Sequence, residues 1–552
     1  MTPPPEPLAR FALRGRVVTM DAKRRTLGDG VVYVDAGRIT AVLRATAPPP
    51  AGFEAVTPLA TKGTIYPGLI ELHNHLAYNA LPLWRPPGRY TNRDRWQGTV
   101  GYRRYVSGPA WELGRRPEAI TATIRYVEAK SLIAGVTTSQ GITLRGLHLE
   151  HTFQGVVRNC EVPDDPDLAP ADPKITDVAP GEAASFRATL GGPRARLLHL
   201  AEGTDASALA HFEALRIAQD DWAISQWLAG IHATALGPAE LSTLQANGGH
   251  IVWSPFSNLA LYGETTKIAE ARELGITIAL GSDWSPSGTK NLLAEMKVAH
   301  LATGLDARTL VEMATVNPAV ILGWSDHVGS LEAGKVADVV VVAGTKGDAY
   351  GKLMLARESD IALVVIAGIA RYGTPELMGP LVPPAERETF TVAGASRAFQ
   401  RPPAADPVVG PLPALEDAVA SIRDVLNNLP ERAKETIDPG LAPRLAMASP
   451  AGPETRLVLA LDLEPTPPAP TDLRALAAGA AGSYADIAVP LEIDALTTLG
   501  DAAFFAQLAN LGNLSDDLRS ALPPLYGETP RPPAPAGLEA RDDAEPVASP
   551  EG

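Results

Sequence analysis

Residues 71–79 read ELHNHLAYN and follow the apolar run TIYPGLI of residues 64–70. In an extended chain, side chains two apart point the same way, so His73 and His75 share one face at the end of a strand. Packing gives a strand that buries itself no reason to carry two imidazoles in that register, whereas one ion could close on both. A lone pair of this kind is more often a satisfied core or surface feature. The rest of the chain has to decide.

Downstream of Pro67, short apolar strands alternate with amphipathic helices. PEAITATIRYVEAKSLIAG (117–135) reads as a helix leading into the strand VTTSQGI (136–142). ARLLHLAEG (195–203), LAGIHATAL (228–236), HIVWSP (250–255) and ITIALGSDWSP (276–286) read as further strands with helical segments between them. Such alternation is the signature of βα units and a parallel sheet. That many units in roughly 260 residues predict a closed, TIM-like (β/α)8 barrel rather than an open sheet.

The flanks differ. Residues 9–60 read as strands around an Ala-Gly turn at 36–37, and strands return after LEAGKVADVVVVAG (331–344). The expected organisation is an α/β protein whose barrel spans 67–329, beside a composite β-sandwich built from 1–66 and 330–400. Residues 401–552 form a Pro/Ala-rich C-terminal extension, expected to be helical and partly disordered. Within it Leu415, Val419, Ile422, Leu426 and Leu429 make one helical apolar stripe, which must pack on the barrel or on a second copy in a homo-oligomer. Because both sandwich halves end before it, the extension is expected to be dispensable for folding.

Composition narrows the function. A net charge of -15 argues against nucleic acid or an anionic membrane as partner and leaves a small-molecule substrate. The single cysteine, Cys160, rules out an internal disulfide framework and fits a reducing compartment. The N-terminus has no apolar run behind a basic start, and no apolar stretch approaches a transmembrane length, so a cytoplasmic location is expected.

His199 lies near the end of LLHLAEG, His232 near the end of AGIHAT and Asp283 near the end of IALGSD. With His73 and His75, five ligand-type residues fall at the C-terminal ends of four strands, the face on which barrel enzymes build their sites. Singly, each histidine has a bland structural explanation. Jointly, they do not.

In order along residues 10–375 the chain carries PGLIELHNHL, HLAEG, IHATAL, SPFSNLALYG, LGSDWSPSGTKN, MATVNPAVILG and LEAGKVADVVVV. In these motifs it resembles the amidohydrolase superfamily, in its cytosine deaminase and chlorohydrolase-like branch. The resemblance implies a (β/α)8 barrel with a composite sandwich, and makes His73, His75, His199 and Asp283 ligands of one divalent metal. Zinc suits that donor set, with iron acceptable. It implies a hydrolase of non-peptide C–N bonds in a small heterocycle, most readily a deaminase using metal-activated hydroxide. Glu202 would protonate the ring nitrogen and shuttle protons, His232 would orient the water, and Asp283 would accept its proton. The rivals are cyclic amide or amidine hydrolysis, hydrolytic dechlorination, and a catalytically inactive binding protein. Some dechlorinases of the branch lack the glutamate, so Glu202 leans toward a substrate that needs protonation.

A two-metal version of the site needs a carboxylated lysine at the end of the fourth strand. Lys174 precedes ITDV (175–178), which as that strand would put the lysine at its beginning and favour one metal. His148 and His151 are expected in a solvated loop or helix face, and His211 and His300 in structural or exposed helical positions. A Cys-x-x-Cys pair of the unrelated cytidine deaminase type is absent. After the first barrel strand, residues 78–106 carry Arg85, Arg89, Arg93, Arg95, Arg103 and Arg104. This segment reads either as solvated surface or as a lid whose arginines grip a substrate carboxylate or phosphate while Trp84 or Trp96 stacks on its ring.

Overall fold

The computed structural model describes residues 10–146, 149–174, 177–402, 406–435, 457–461 and 484–527. The fold is mixed α/β. Strand Leu59–Pro67 runs parallel to Arg10–Val18 and antiparallel to Val339–Ala343, which joins the two flanks in one continuous nine-stranded sheet. Its hairpin Thr26–Asp35/Arg38–Arg44 turns at Ala36 and Gly37, both with left-handed φ (47° and 79°), the backbone that matches the twist of paired strands. Val339–Val342 is buried throughout, as a β-branched run inside a sheet should be.

The parallel strands lie in two arcs. Leu69–Glu71, Val136–Ser139 and Arg158–Asn159 form one. Asp172–Lys174, Arg196–Leu200, Leu228–His232, His250–Trp253 and Ile278–Leu280 form the other. Between Arg158–Asn159 and Asp172–Lys174, the Ala171 amide donates to the Cys160 carbonyl at 2.7 Å. At the other junction the Asp283 amide donates to the His73 carbonyl at 3.0 Å, and the His75 amide to the Asp283 carbonyl at 2.6 Å. Gly281 allows this approach: a Cβ there would lie 2.5 Å from the Cβ of His73. The expected position of Lys174 needs correcting. The strand is Asp172–Lys174, paired in register with Arg196–Leu198, so Lys174 ends it rather than beginning it. The Lys174 side chain lies outside the described residues, as does His148.

Residues beyond Gln400 are not set apart from this core. Helix Leu415–Asn427 buries Leu415, Ile422 and Leu426 and packs on helix Pro117–Ile133, so the apolar stripe finds its partner within the chain. Strand Val458–Leu459 pairs with Ile142–Gly146. Helices Ala502–Ala509 and Asp516–Tyr526 bury Phe504, Phe505, Leu508, Leu522 and Tyr526 in one cluster with Leu83, Phe256, Ala294 and Val298. This packing runs against the expectation that the extension is dispensable: among the described residues, its apolar positions cover helices of the α/β unit. No helix among the described residues is long and apolar enough to cross a membrane.

Candidate metal centre

His73 and His75 follow strand Leu69–Glu71, His199 lies within Arg196–Leu200, His232 ends Leu228–His232, and Asp283 follows Ile278–Leu280. All leave their strands at the same end. Ala201, His232 and Asp283 take left-handed φ values of 50°, 66° and 65°. Such backbone costs a non-glycine residue on the order of 1–3 kcal/mol and persists where surrounding structure imposes it, commonly at functional sites. Here it turns the chain sharply at three strand ends and brings distant side chains together.

The five candidate donors converge. His73 Nε2 lies 3.1 Å and His75 Nε2 3.4 Å from the same oxygen, Asp283 Oδ1. Ring centroids of His73 stand 4.9, 4.8 and 4.9 Å from those of His75, His199 and His232. Donor atoms of His73, His75 and Asp283, and of His73, His199 and His232, fall within 4.8 Å of one another. Four imidazoles and a carboxylate crowded at such distances, none more than 4% exposed, suit a divalent cation better than any packing role. Burial first, and neighbouring imidazoles second, push His73 and His199 well below the ordinary histidine range, which keeps them in the neutral form that binds metal.

That shift has a consequence for stability. The metal-free folded protein holds these two rings neutral, while the unfolded chain protonates them near pH 6.5. Stability is therefore complete above that value and falls as pH drops below it, by roughly 1.4 kcal/mol per ring per pH unit until the folded pKa is reached. Thermal melts of chelator-treated protein from pH 8 to 5.5 are expected to show the loss, and a flat profile would contradict neutral burial.

Glu202 sits beside this cluster. Its Oε1 accepts a hydrogen bond from the Tyr262 hydroxyl at 2.6 Å and lies 3.8 Å from His232 Nε2. Burial, with Glu202 adjacent, holds the Tyr262 phenol well above its ordinary pKa, so it stays protonated and donates. The Trp96 indole in turn donates to Tyr262 at 3.0 Å. His232 Nδ1 donates to Asn258 Oδ1 at 2.8 Å, which sets its tautomer and leaves Nε2 with a lone pair. That nitrogen stands 4.0 Å from Asp283 Oδ2, so His232 is a fifth donor as well as a candidate water-orienting group.

Residues 78–106 cover the centre. Trp284, next to Asp283, packs against His75, Tyr78, Trp96 and Tyr102. The segment is pinned to the end of HLAEG: Thr204 N donates to Thr91 O at 2.7 Å, and a Cβ on Gly203 (φ 141°) would meet that oxygen at 2.4 Å. Its arginines do not behave alike. Arg85, Arg89 and Arg95 are exposed, and Arg104 bonds the Ile487 carbonyl. Arg93 is buried, 2.6 Å from Asp177 and 3.7 Å from Glu202 Oε2. Its carboxylate partners are thus the protein's own. His211, expected to be merely structural or exposed, pairs with Asp177 at 3.2 Å and so backs the same cluster. His151 is half-buried against Asp406 at 2.9 Å, and His300 bonds the Leu305 carbonyl. Asn258 and Tyr262 were not singled out from sequence, although both stand in SPFSNLALYG, where polar residues on an apolar helix were the available signal.

Residues 223–371 match the amidohydrolase family, a span that holds His232, Asn258, Tyr262 and Asp283. The 5-methylthioadenosine/S-adenosylhomocysteine deaminase of Teredinibacter turnerae is 33% identical over 121 residues, 20% of this chain but only 27% of that protein's length. The 5'-deoxyadenosine deaminase of Methanosarcina mazei is 22% identical over 368 residues, 59% of this chain and 82% of that protein. Among solved structures, atrazine chlorohydrolase TrzN of Arthrobacter aurescens, complexed with zinc, superposes with a TM-score of 0.51 at 22% identity. That superposition covers 65% of this chain and 94% of that one, a likeness of fold. The amidohydrolase match thus falls on the part of the chain that carries His232 and Asp283 of the His/Asp cluster.

Proposed function

We propose that the protein is a zinc-dependent hydrolase that releases an amino group from a small heterocyclic substrate. The observation that carries this reading is Glu202, buried beside the His/Asp cluster and oriented by Tyr262. His73, His75, His199 and Asp283 would hold the metal. When bound, it acidifies a coordinated water toward neutral pH. Asp283, whose second oxygen faces His232, accepts a proton from the attacking water. His232 Nε2, presented by the Asn258 bond, orients that water by hydrogen bonding. Glu202 delivers a proton to the ring nitrogen, so that negative charge does not build up on the ring as the water oxygen bonds to carbon, and the proton taken up by Asp283 passes to the amine, which leaves as ammonia when the C–N bond breaks. Segment 78–106 excludes water, and it has to move aside for substrate to enter.

The deaminases matched above support C–N hydrolysis over dechlorination, as does the glutamate. We extend the reading to the architecture. The bonds linking both ends of the two arcs support a closed (β/α)8 barrel over 67–329, with 1–66 and 330–400 forming the flanking β-unit and 401–552 the extension. A cytoplasmic location is supported by the lone buried Cys160. The test is direct. Purified protein is expected to carry about one zinc per chain, as one site of this type binds, and to release ammonia from at least one member of an aminated purine, pyrimidine, triazine and nucleoside panel. Chelation is expected to abolish the reaction and zinc to restore it. Full activity without metal would sink the mechanism.

A further inference from the structure

We propose that Asp494, far out in the C-terminal extension, is a positioning residue for the metal ligands; this rests on reading His73, His75, His199 and Asp283 as a metal site. Its carboxylate lies between two buried ammonium groups and forms ion pairs with both Lys130 and Lys290. Its amide donates to the Ala80 carbonyl at 3.0 Å, and its carbonyl accepts from the Tyr126 hydroxyl. The backbone here is thus held against the segment that follows His75.

From Lys130 a continuous chain of hydrogen bonds runs to the metal ligands. Lys130 Nζ donates to Ser285 Oγ at 2.6 Å and to the Asn79 carbonyl at 3.0 Å. Asn79 Oδ1 accepts from the Ser285 amide at 2.8 Å, while its Nδ2 donates to Asn74 Oδ1 at 2.7 Å. Asn74 Nδ2 then donates to Glu71 Oε2 at 2.8 Å, and Glu71 Oε1 accepts from the Ser282 amide and hydroxyl. Asn74 stands between His73 and His75, and Ser282 and Ser285 flank Asp283. The chain therefore grips two of the three strand ends that supply the ligands. Every link is buried, none more than 4% exposed. Buried polar networks in which each member is satisfied fix geometry, and groups that orient metal ligands from behind tune affinity.

Mere charge neutralisation would make a different prediction. Asp501 also pairs with Lys290, at 2.8 Å, but lies off the chain. Asp494→Asn removes the carboxylate that holds Lys130 on Asn79 and Ser285, whereas Asp501→Asn leaves that hold in place. The experiment uses the full chain, stripped of metal, with zinc affinity read by competition against a chromophoric chelator. Visible absorption of the cobalt-substituted protein reports ligand geometry.

Asp494→Asn is expected to weaken zinc binding by about 10–100-fold and to shift the cobalt bands. Asp501→Asn is expected to stay within about threefold of wild type, under 1 kcal/mol. Should Asp494→Asn fail to fold, Asn79→Ser breaks the chain with no change of charge and carries the same expectation. A folded Asp494→Asn with wild-type affinity and spectrum, an Asn79→Ser variant with the same result, or equal losses in both aspartate variants would overturn the positioning role. If the wild-type chain itself takes up no zinc, the metal reading falls and the proposal with it. Wild-type uptake beside an unaltered Asp494→Asn removes the proposal alone.

Discussion

Glu202→Gln is expected to keep its zinc and lose turnover by about 10²–10⁴-fold, the range for a positioned general acid. The amide preserves side-chain length, and its oxygen can still accept from Tyr262, which lies 2.6 Å from Oε1. What it cannot do is give and retake a proton. The Trp96–Tyr262 contacts on one side and Arg93 on the other hold the side chain in place, so a loss of rate is not a loss of shape. Metal content and kcat on the substrate found in the panel should be measured on the same preparation. Retained zinc with collapsed kcat supports proton delivery by Glu202. Retained zinc with near-normal kcat would shift the reaction toward displacement of a leaving group that needs no protonation, as in hydrolytic dechlorination.

Truncation after Gln400 is expected to yield insoluble or unfolded protein. It strips Asp494 from Lys130 and Lys290, which are 2% and 3% exposed. Breaking a buried ion pair by deleting one partner costs about 3–5 kcal/mol, against a total domain stability of about 5–15 kcal/mol. The cut also uncovers the faces now packed by Leu415, Ile422, Leu426, Phe504 and Leu508, each contributing about 1.5–3 kcal/mol when fully buried. Soluble yield and a thermal melt followed by circular dichroism decide the matter. A soluble truncated chain with a cooperative melt near that of the full chain would show that residues 401–552 sit on the core without supporting it.

The candidate ligands were legible because their signal is local. A strand end is marked by the apolar run before it, and the two-residue period puts His73 and His75 on one face without reference to anything distant. His199, His232 and Asp283 followed from the same rule, whereas Glu202 entered through the family resemblance. Lys174 was misplaced because it precedes an apolar ITDV, while the strand actually paired is Asp172–Lys174. Strand pairing is a contact with another segment, and a run of apolar residues does not name its neighbour.

Charge pairing was less legible still. Six arginines in residues 78–106 were visible, but nothing in their order separated Arg93 from the others. Only the docking of Thr91 and Asn92 on the end of HLAEG places that guanidinium between Asp177 and Glu202. A buried cation must find an anion because its desolvation is costly, yet which anion it finds depends on the folded chain. At the C-terminus, the expectation that the extension is dispensable rested on both sandwich halves ending before it, which says nothing of what packs on the core. The partners of its buried positions lie far away in sequence: Asp494 satisfies lysines 364 and 204 residues away.

By itself the sequence determined the alternating βα pattern, the strand-end placement of the candidate ligands and the family resemblance, because these depend on periodicity and spacing along the chain. Only the tertiary structure decided which carboxylate meets Arg93, which hydroxyl holds Glu202 and how the extension reaches the metal centre. Those contacts join residues far apart in sequence, and burial makes each one obligatory only once the chain has closed around it.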